Sequence, residues 1–234
     1  MAQEIQSNRL EDFFGKSMEI SAEEIERLQS TIFPAVTSLW VQAIREIALV
    51  SSFFEQTKET LGAKKKALEQ EIKKTIEIGR EFPDDLFLDF PVLEDFAWLS
   101  SEFAVVGLWR CVELFRKNAI EHALGEDAAQ GLFSERKFQE ILRSQGIDGS
   151  RIRCARSVDE LRCLNNAIKH QRQVTDSLAE FPRWKEGDEL GDLERHYCRL
   201  RPLAERYLED LAKRLNTKFP PPYGVKNAKK DQHG

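Results

Sequence analysis

The segment from about Val92 to Leu124, VLEDFAWLSSEFAVVGLWRCVELFRKNAIEHAL, constrains the fold more than any other stretch of the chain. Its large apolar residues, among them Phe96, Trp98, Phe103, Val106, Trp109, Val112 and Phe115, do not fall on one stripe, so a helix made from it is apolar on more than one face. Such a helix must be surrounded by others, and the segment predicts the central, most buried helix of an all-α fold. A second helix, from about Leu193 to Leu215, has the complementary pattern. Leu193, Tyr197, Leu200, Ala204, Leu208, Leu211 and Leu215 succeed one another at three- and four-residue spacing, a packing stripe against a bundle. Pro202 interrupts its ladder of amide bonds and predicts a bend.

The remaining punctuation divides the chain. Ser21 with Glu24 has the arrangement of a capping box and predicts a helix start, while Pro34 predicts a kink or break and Gly62 a weak point. From about Ala63 to Arg80, Lys65, Glu69, Lys73 and Glu77 pair at four-residue spacing, as on an exposed helix. EFPDDLFLDFP, with Pro83 and Pro91, reads as an apolar extended connection. Gly125 reads as a helix cap leading into a loop, GEDAAQG, after which Ser134 opens a short helix that GIDGS ends. Ser157 with Glu160 forms a second capping box and places the start of the next helix. PRWKEGDELGD is a turn-rich loop.

These readings predict an antiparallel bundle of roughly five to seven helices. Residues 1–20 form an N-terminal segment and 21–218 a single helical domain. Within that domain, 21–80 make an N-terminal long-helix hairpin and 92–215 the main bundle; the Pro-rich stretch 219–234 is a flexible tail.

Charged residues make up 32% of the chain, yet the formal net charge is −5, which excludes a protein that coats nucleic acid by bulk electrostatics and confines any such site to a local patch. No run approaches the ~18 apolar residues of a membrane span, and the N-terminus lacks an apolar signal core, so the expectation is a cytoplasmic protein without membrane contact. Cys111, Cys154, Cys163 and Cys198 lie far apart with no CxxC pair, which predicts buried or half-buried thiols and no zinc site.

The chemistry-bearing stretch is DELRCLNNAIKH, Asp159 to His170. On a helix, Leu161, Leu164 and Ile168 gather on one side, and Arg162, Asn166 and Lys169 well round from them, with Asn165 nearest the boundary and His170 at the far edge of the polar face. A guanidinium offers a forked donor for phosphate, an amide can orient a phosphate or a ribose hydroxyl, and an imidazole moves protons near neutral pH. That set suits attack of a 2′-hydroxyl on its adjacent phosphodiester without a metal. It also suits a solvated helix face, where Arg, Asn and Lys are common. In the central segment RKNAIEH places Arg116 and His122 six positions apart, about 240° around a continuous helix, so the two share a face only if the helix frays near Gly125. LNNAIKH has some likeness to the asparagine box of histidine-kinase ATPase domains, but the Asp-x-Gly-x-Gly that should succeed it is absent.

An all-α architecture, Arg-x-x-Asn-Asn-x-x-Lys-His at 162–170 and Arg-x5-His at 116–122 together resemble the HEPN superfamily, the higher eukaryote and prokaryote nucleotide-binding domains, over roughly Val92 to Leu215. The resemblance implies a helical bundle. Active members are metal-independent RNases of toxin–antitoxin, CRISPR and antiphage systems, marked by Arg, four to six residues, then His, with two protomers pairing to bring two motifs together. Arg116 and His122 fit that spacing; Arg162 and His170, with seven residues between, do not. The resemblance further implies a homodimer acting on RNA as an endoribonuclease, with a possible antitoxin or other protein partner. His170 or His122 would then be acid or base, Arg162 or Arg116 the phosphorane-stabilising cation, and Asn165, Asn166 and Lys169 the RNA contacts. No cofactor and no metal are expected. The alternative expectation is a non-catalytic dimerisation or protein-interaction module, a role to which many members of the superfamily have turned.

Overall fold

The computed structural model describes residues 35–78, 84–130, 132 and 134–220. Two long helices, α1 (Ala35–Glu77) and α2 (Asp84–Leu124), lie antiparallel: Val50 sits against Gly107 while Lys65 lies over the ring of Phe90, so one numbering rises as the other falls. Shorter elements come next as α3 (Glu126–Ala129), α4 (Glu135–Ser144), a 3-10 turn at Gly149–Arg151, α5 (Ala155–His170) and α6 (Asp176–Ala179), and the chain returns in α7 (Leu193–Lys218). Among the described residues there is no β-strand, only an isolated bridge between Gln173 and Glu189 in the loop before α7. The protein is an all-α helical bundle.

The core forms where α2 meets its neighbours. Val105, Leu108, Val112 and Phe115 of α2 are buried together with Leu161, Leu164 and Ile168 of α5 and Ile47 and Phe54 of α1. Every residue of the apolar stripe on α7, from Leu193 to Leu215, is buried, which accounts for its three- and four-residue spacing. Polar links add register: Ser51 and Tyr197 share a 2.6 Å hydrogen bond, and Tyr197 meets Phe54 edge-on at 5.2 Å. At the close approach of α1 and α2, a β-carbon on Gly107 would lie 3.1 Å from Val50 Cγ2, and glycine lets the two backbones come together there.

Several local expectations are corrected. The central helix begins at Asp84, eight residues before Val92, and runs straight through Pro91, so the latter part of EFPDDLFLDFP is helix and not an extended connection. The loss at Pro91 is one amide bond, and Pro91 itself is exposed, so the proline ring meets solvent and not a packed neighbour. Nor is α2 buried throughout: Phe96 and Phe103 are exposed, and burial is concentrated from Ser100 onward. Gly62 does not break α1, which crosses it without interruption.

Within GEDAAQG, Glu126–Ala129 is a short helix, although Gly125 does end α2 with φ 92°. α5 starts at Ala155 after Cys154 in the left-handed region, so Ser157 lies inside the helix and makes no cap. Ser134, by contrast, caps α4, its hydroxyl accepting from the Lys137 amide. α7 is continuous through Pro202. The expectations at Ser21, Glu24 and Pro34 and most of the tail 219–234 lie outside the described residues, which end at Pro220.

Candidate functional site

Two recesses hold candidate residues, and a third gathers charged residues elsewhere. The first is a cleft of about 320 Å³ between α2, α4 and α5, into which Arg116, Glu135, Arg162 and Asn166 face. Arg116 forms its floor and is held there from two sides. Its Nη1 donates to Glu135 Oε2 at 2.6 Å and its Nε to the Tyr207 hydroxyl at 3.0 Å, while the rings of Phe138, Tyr207 and Trp109 lie 4.4, 5.0 and 5.5 Å from the guanidinium carbon. Burial works against the charge on Arg116, but Tyr207 and Glu135 outweigh it and hold the guanidinium above its ordinary pKa. Burial likewise opposes ionisation of Glu135, yet Arg116 and the Gln139 amide keep its carboxyl below the usual range. The arrangement is a paired, hydrogen-bonded buried ion, the form in which a charge is tolerated inside a protein.

Above that floor, Arg162 is half-buried, with Nε donating to Asp159 Oδ1 at 2.8 Å and a longer contact from Nη2 to the Cys163 sulfur. Asn166 is exposed at the rim. Asn165 is not at a boundary but inside, 1% exposed, giving its Nδ2 proton to Asn166 Oδ1 at 3.3 Å and leaving its own Oδ1 without a partner. Lys169 and His170 are exposed at the end of α5 and do not line this cleft.

His122 belongs to a different recess. It faces a groove of about 730 Å³ between the start of α1 and the end of α2, beside Gln42, Arg45 and Asn118. α2 stays helical through Leu124, so Arg116 and His122 remain on different faces, one buried in the core cleft and the other open to the groove. The fold therefore gathers Arg116, Arg162 and Asn166 and leaves both His122 and His170 outside that cleft.

The third recess was not singled out in the sequence. Glu160, whose side chain is 8% exposed, accepts two hydrogen bonds from Arg199, at 3.0 and 2.5 Å, and one from Trp184 Nε1 at 2.8 Å. His196 stacks on Trp184 with centroids 4.0 Å apart, and Arg199 donates to its Nδ1 at 3.3 Å. Burial, then the cations Arg199 and Arg183, push the His196 pKa below its ordinary value. In the sequence, Arg195 and Arg199 stand one turn apart in ERHYCRL, a signal masked by the apolar stripe of the same helix.

Cys111 and Cys163 are buried, and burial pushes Cys111 up to about 11 and Cys163 in the same direction, which leaves both as inert thiols; Cys198, read as buried or half-buried, is exposed. Among the described residues no group of three or more His, Cys, Asp or Glu is placed to hold a metal ion, and no helix is long and apolar enough to cross a membrane. Comparison of the chain with protein-family models, with curated proteins and with solved structures found no match.

Proposed function

We propose that the protein is a HEPN-like helical module that works through association, pairing with a second copy of itself across the outer face of the α1/α2 hairpin. The observation that carries this reading is a continuous exposed apolar stripe on that face. Val50 points at α2; Ser51, about 100° further round, points at α7; and Leu49 and Phe53 lie about 100° and 60° the other way, on the side away from the bundle. On α2, Gly107 points at α1, and Val92, Phe96, Leu99 and Phe103 fall on the same outer side. Phe53 and Phe103 are level with one another and 62% and 65% exposed. Exposed apolar groups arrayed like this mark an interaction surface.

The size of the stripe favours a second copy as its occupant. A phenylalanine offers roughly 200 Å², so the six side chains present on the order of 700 Å², near the ~800 Å² per partner of a standard interface. A two-fold arrangement lets one patch serve both sides. Light scattering on the purified protein and on a Phe53→Ser/Phe103→Ser variant tests the reading: a dimer that the double substitution dissociates supports it, and a monomer in both overturns it.

A second reading is favoured by Arg162 and Asn166 at the open rim of the cleft, with the exposed His170 one turn beyond Asn166. Here the module acts on RNA as a metal-independent endoribonuclease of a bacterial defence or toxin system, its motifs meeting across a dimer. Arg116, already held by Glu135 and Tyr207, suits a supporting role; Arg162 suits the phosphorane charge, His170 or His122 proton transfer, and Asn166 and Lys169 the backbone. Cleavage of RNA in chelator by the wild type, lost in His170→Ala or His122→Ala, supports this reading. Absence of cleavage, or full cleavage by both variants, removes it.

A further inference from the structure

We infer that the recess at the start of α7, lined by Arg183, Asp192, Arg195, His196 and Arg199, is a binding site for a phosphate group. The inference stands apart from the dimer and from any catalytic role of His122 or His170. The recess is about 280 Å³ and every residue lining it is polar or charged, three of the five being arginines.

The donors are unevenly committed, and that is what points to an anion. Arg199 is anchored from behind by Glu160, which fixes its orientation and leaves part of its five-donor fork facing the recess. Arg183 has no hydrogen bond or ion pair among the described residues, and the nearest carboxylate oxygen to Arg195 is Asp192 Oδ2 at 3.7 Å, long for a hydrogen bond. A guanidinium cannot accept, so the contact from Arg199 fixes His196 Nδ1 as the acceptor and puts the ring proton of neutral His196 on Nε2, a further donor. Trp184 holds that ring in place by stacking. Asp192 takes the left-handed conformation and provides no side-chain cap, so the first amides of α7, a helix of 26 residues, have no capping acceptor. Free amides and the positive end of a helix dipole favour a phosphate at that position. Against these donors stand Asp192 in the recess and Glu160 behind it, one carboxylate fewer than the arginines.

The test uses the full chain, with melting temperature and calorimetry read in orthophosphate, adenosine 5′-monophosphate and a 5′-hydroxyl oligoribonucleotide, each against chloride at equal ionic strength. Arg183 and Arg195 are exposed, so an Arg183→Gln/Arg195→Gln variant should fold, and its melting temperature in chloride verifies this. We expect orthophosphate to raise the melting temperature beyond chloride, and the double variant to weaken binding at least about tenfold through loss of charge-assisted bonds. Tighter binding of the monophosphate assigns the site to a terminal phosphate, and tighter binding of the oligonucleotide to a backbone phosphate. No binding of any of the three, or binding that the double variant retains in full, overturns the inference.

Discussion

Arg116 of α2 and Glu135 of α4 are joined at 2.6 Å inside a cage of Trp109, Phe138 and Tyr207, the Arg side chain 9% exposed. This pair ties the central helix to the short helix that roofs the cleft, and Tyr207 extends the tie to α7. Removing one partner of a buried ion pair leaves the other charge unpaired in a poor solvent. We therefore expect Arg116→Ala to destabilise the protein by about 3–5 kcal/mol in urea denaturation. Arg116→Met, which fills the cage without the charge, should recover part of this only when combined with Glu135→Gln; equal stability of both single variants and wild type would contradict the role.

The same pair sets an acid limit. Glu135 is held below its ordinary value of 4.5 in the folded state, so the unfolded chain binds its proton first and the contribution is complete above that value. It is lost as the pH falls through the lower folded value. Stability measured by denaturant titration should therefore decline as the pH drops below 4.5, and Glu135→Gln should flatten that decline relative to wild type. An unchanged slope in the variant assigns the acid sensitivity elsewhere.

Gly107 marks a close approach in the hairpin. Its added β-carbon would press on Val50 Cγ2 and Cγ1 at 3.1 and 3.2 Å, and a larger side chain has nowhere to go without separating α1 from α2. Gly107→Leu should cost about 1–3 kcal/mol of stability despite leucine's better helix propensity, as overpacking does. Pairing it with Val50→Ala should restore part of the loss, read by the same denaturation curves. No coupling between the two would mean that the helices part easily at this crossing.

How far the chain could be read in advance differs from element to element, for physical reasons. The stripe from Leu193 to Leu215 was legible because burial on one side of a long helix imposes its period directly on the residues, and all of these leucines are buried. Ser134 was legible because a cap acts within three residues. Ser157 and Glu160 carry the same spacing and misled, because Glu160 is claimed by Trp184 and Arg199, 24 and 39 residues away, where no local pattern reaches. Pro91 misled because a proline on an exposed stretch of helix removes one bond and need not end the helix. Of the candidate site, Arg162 and Asn166 do face one cleft with Arg116, but Asn165 turned inward and both histidines fell outside it. Helical angles place residues on a face; they do not say which neighbour covers that face. The Arg183, Arg195 and Arg199 recess needed the loop before α7 to fold back on α5, and only the assembled structure brings those arginines together.

The central claim is association through the outer face of the α1/α2 hairpin, and molar mass in solution tests it most directly. Size-exclusion chromatography with light scattering at micromolar concentration should give about 54 kDa, twice the 27.0 kDa chain, and the Phe53→Ser/Phe103→Ser variant should return 27.0 kDa with its helical circular dichroism intact. A wild-type mass of 27.0 kDa across the concentration range, or a dimer that the double substitution leaves unchanged, would contradict it.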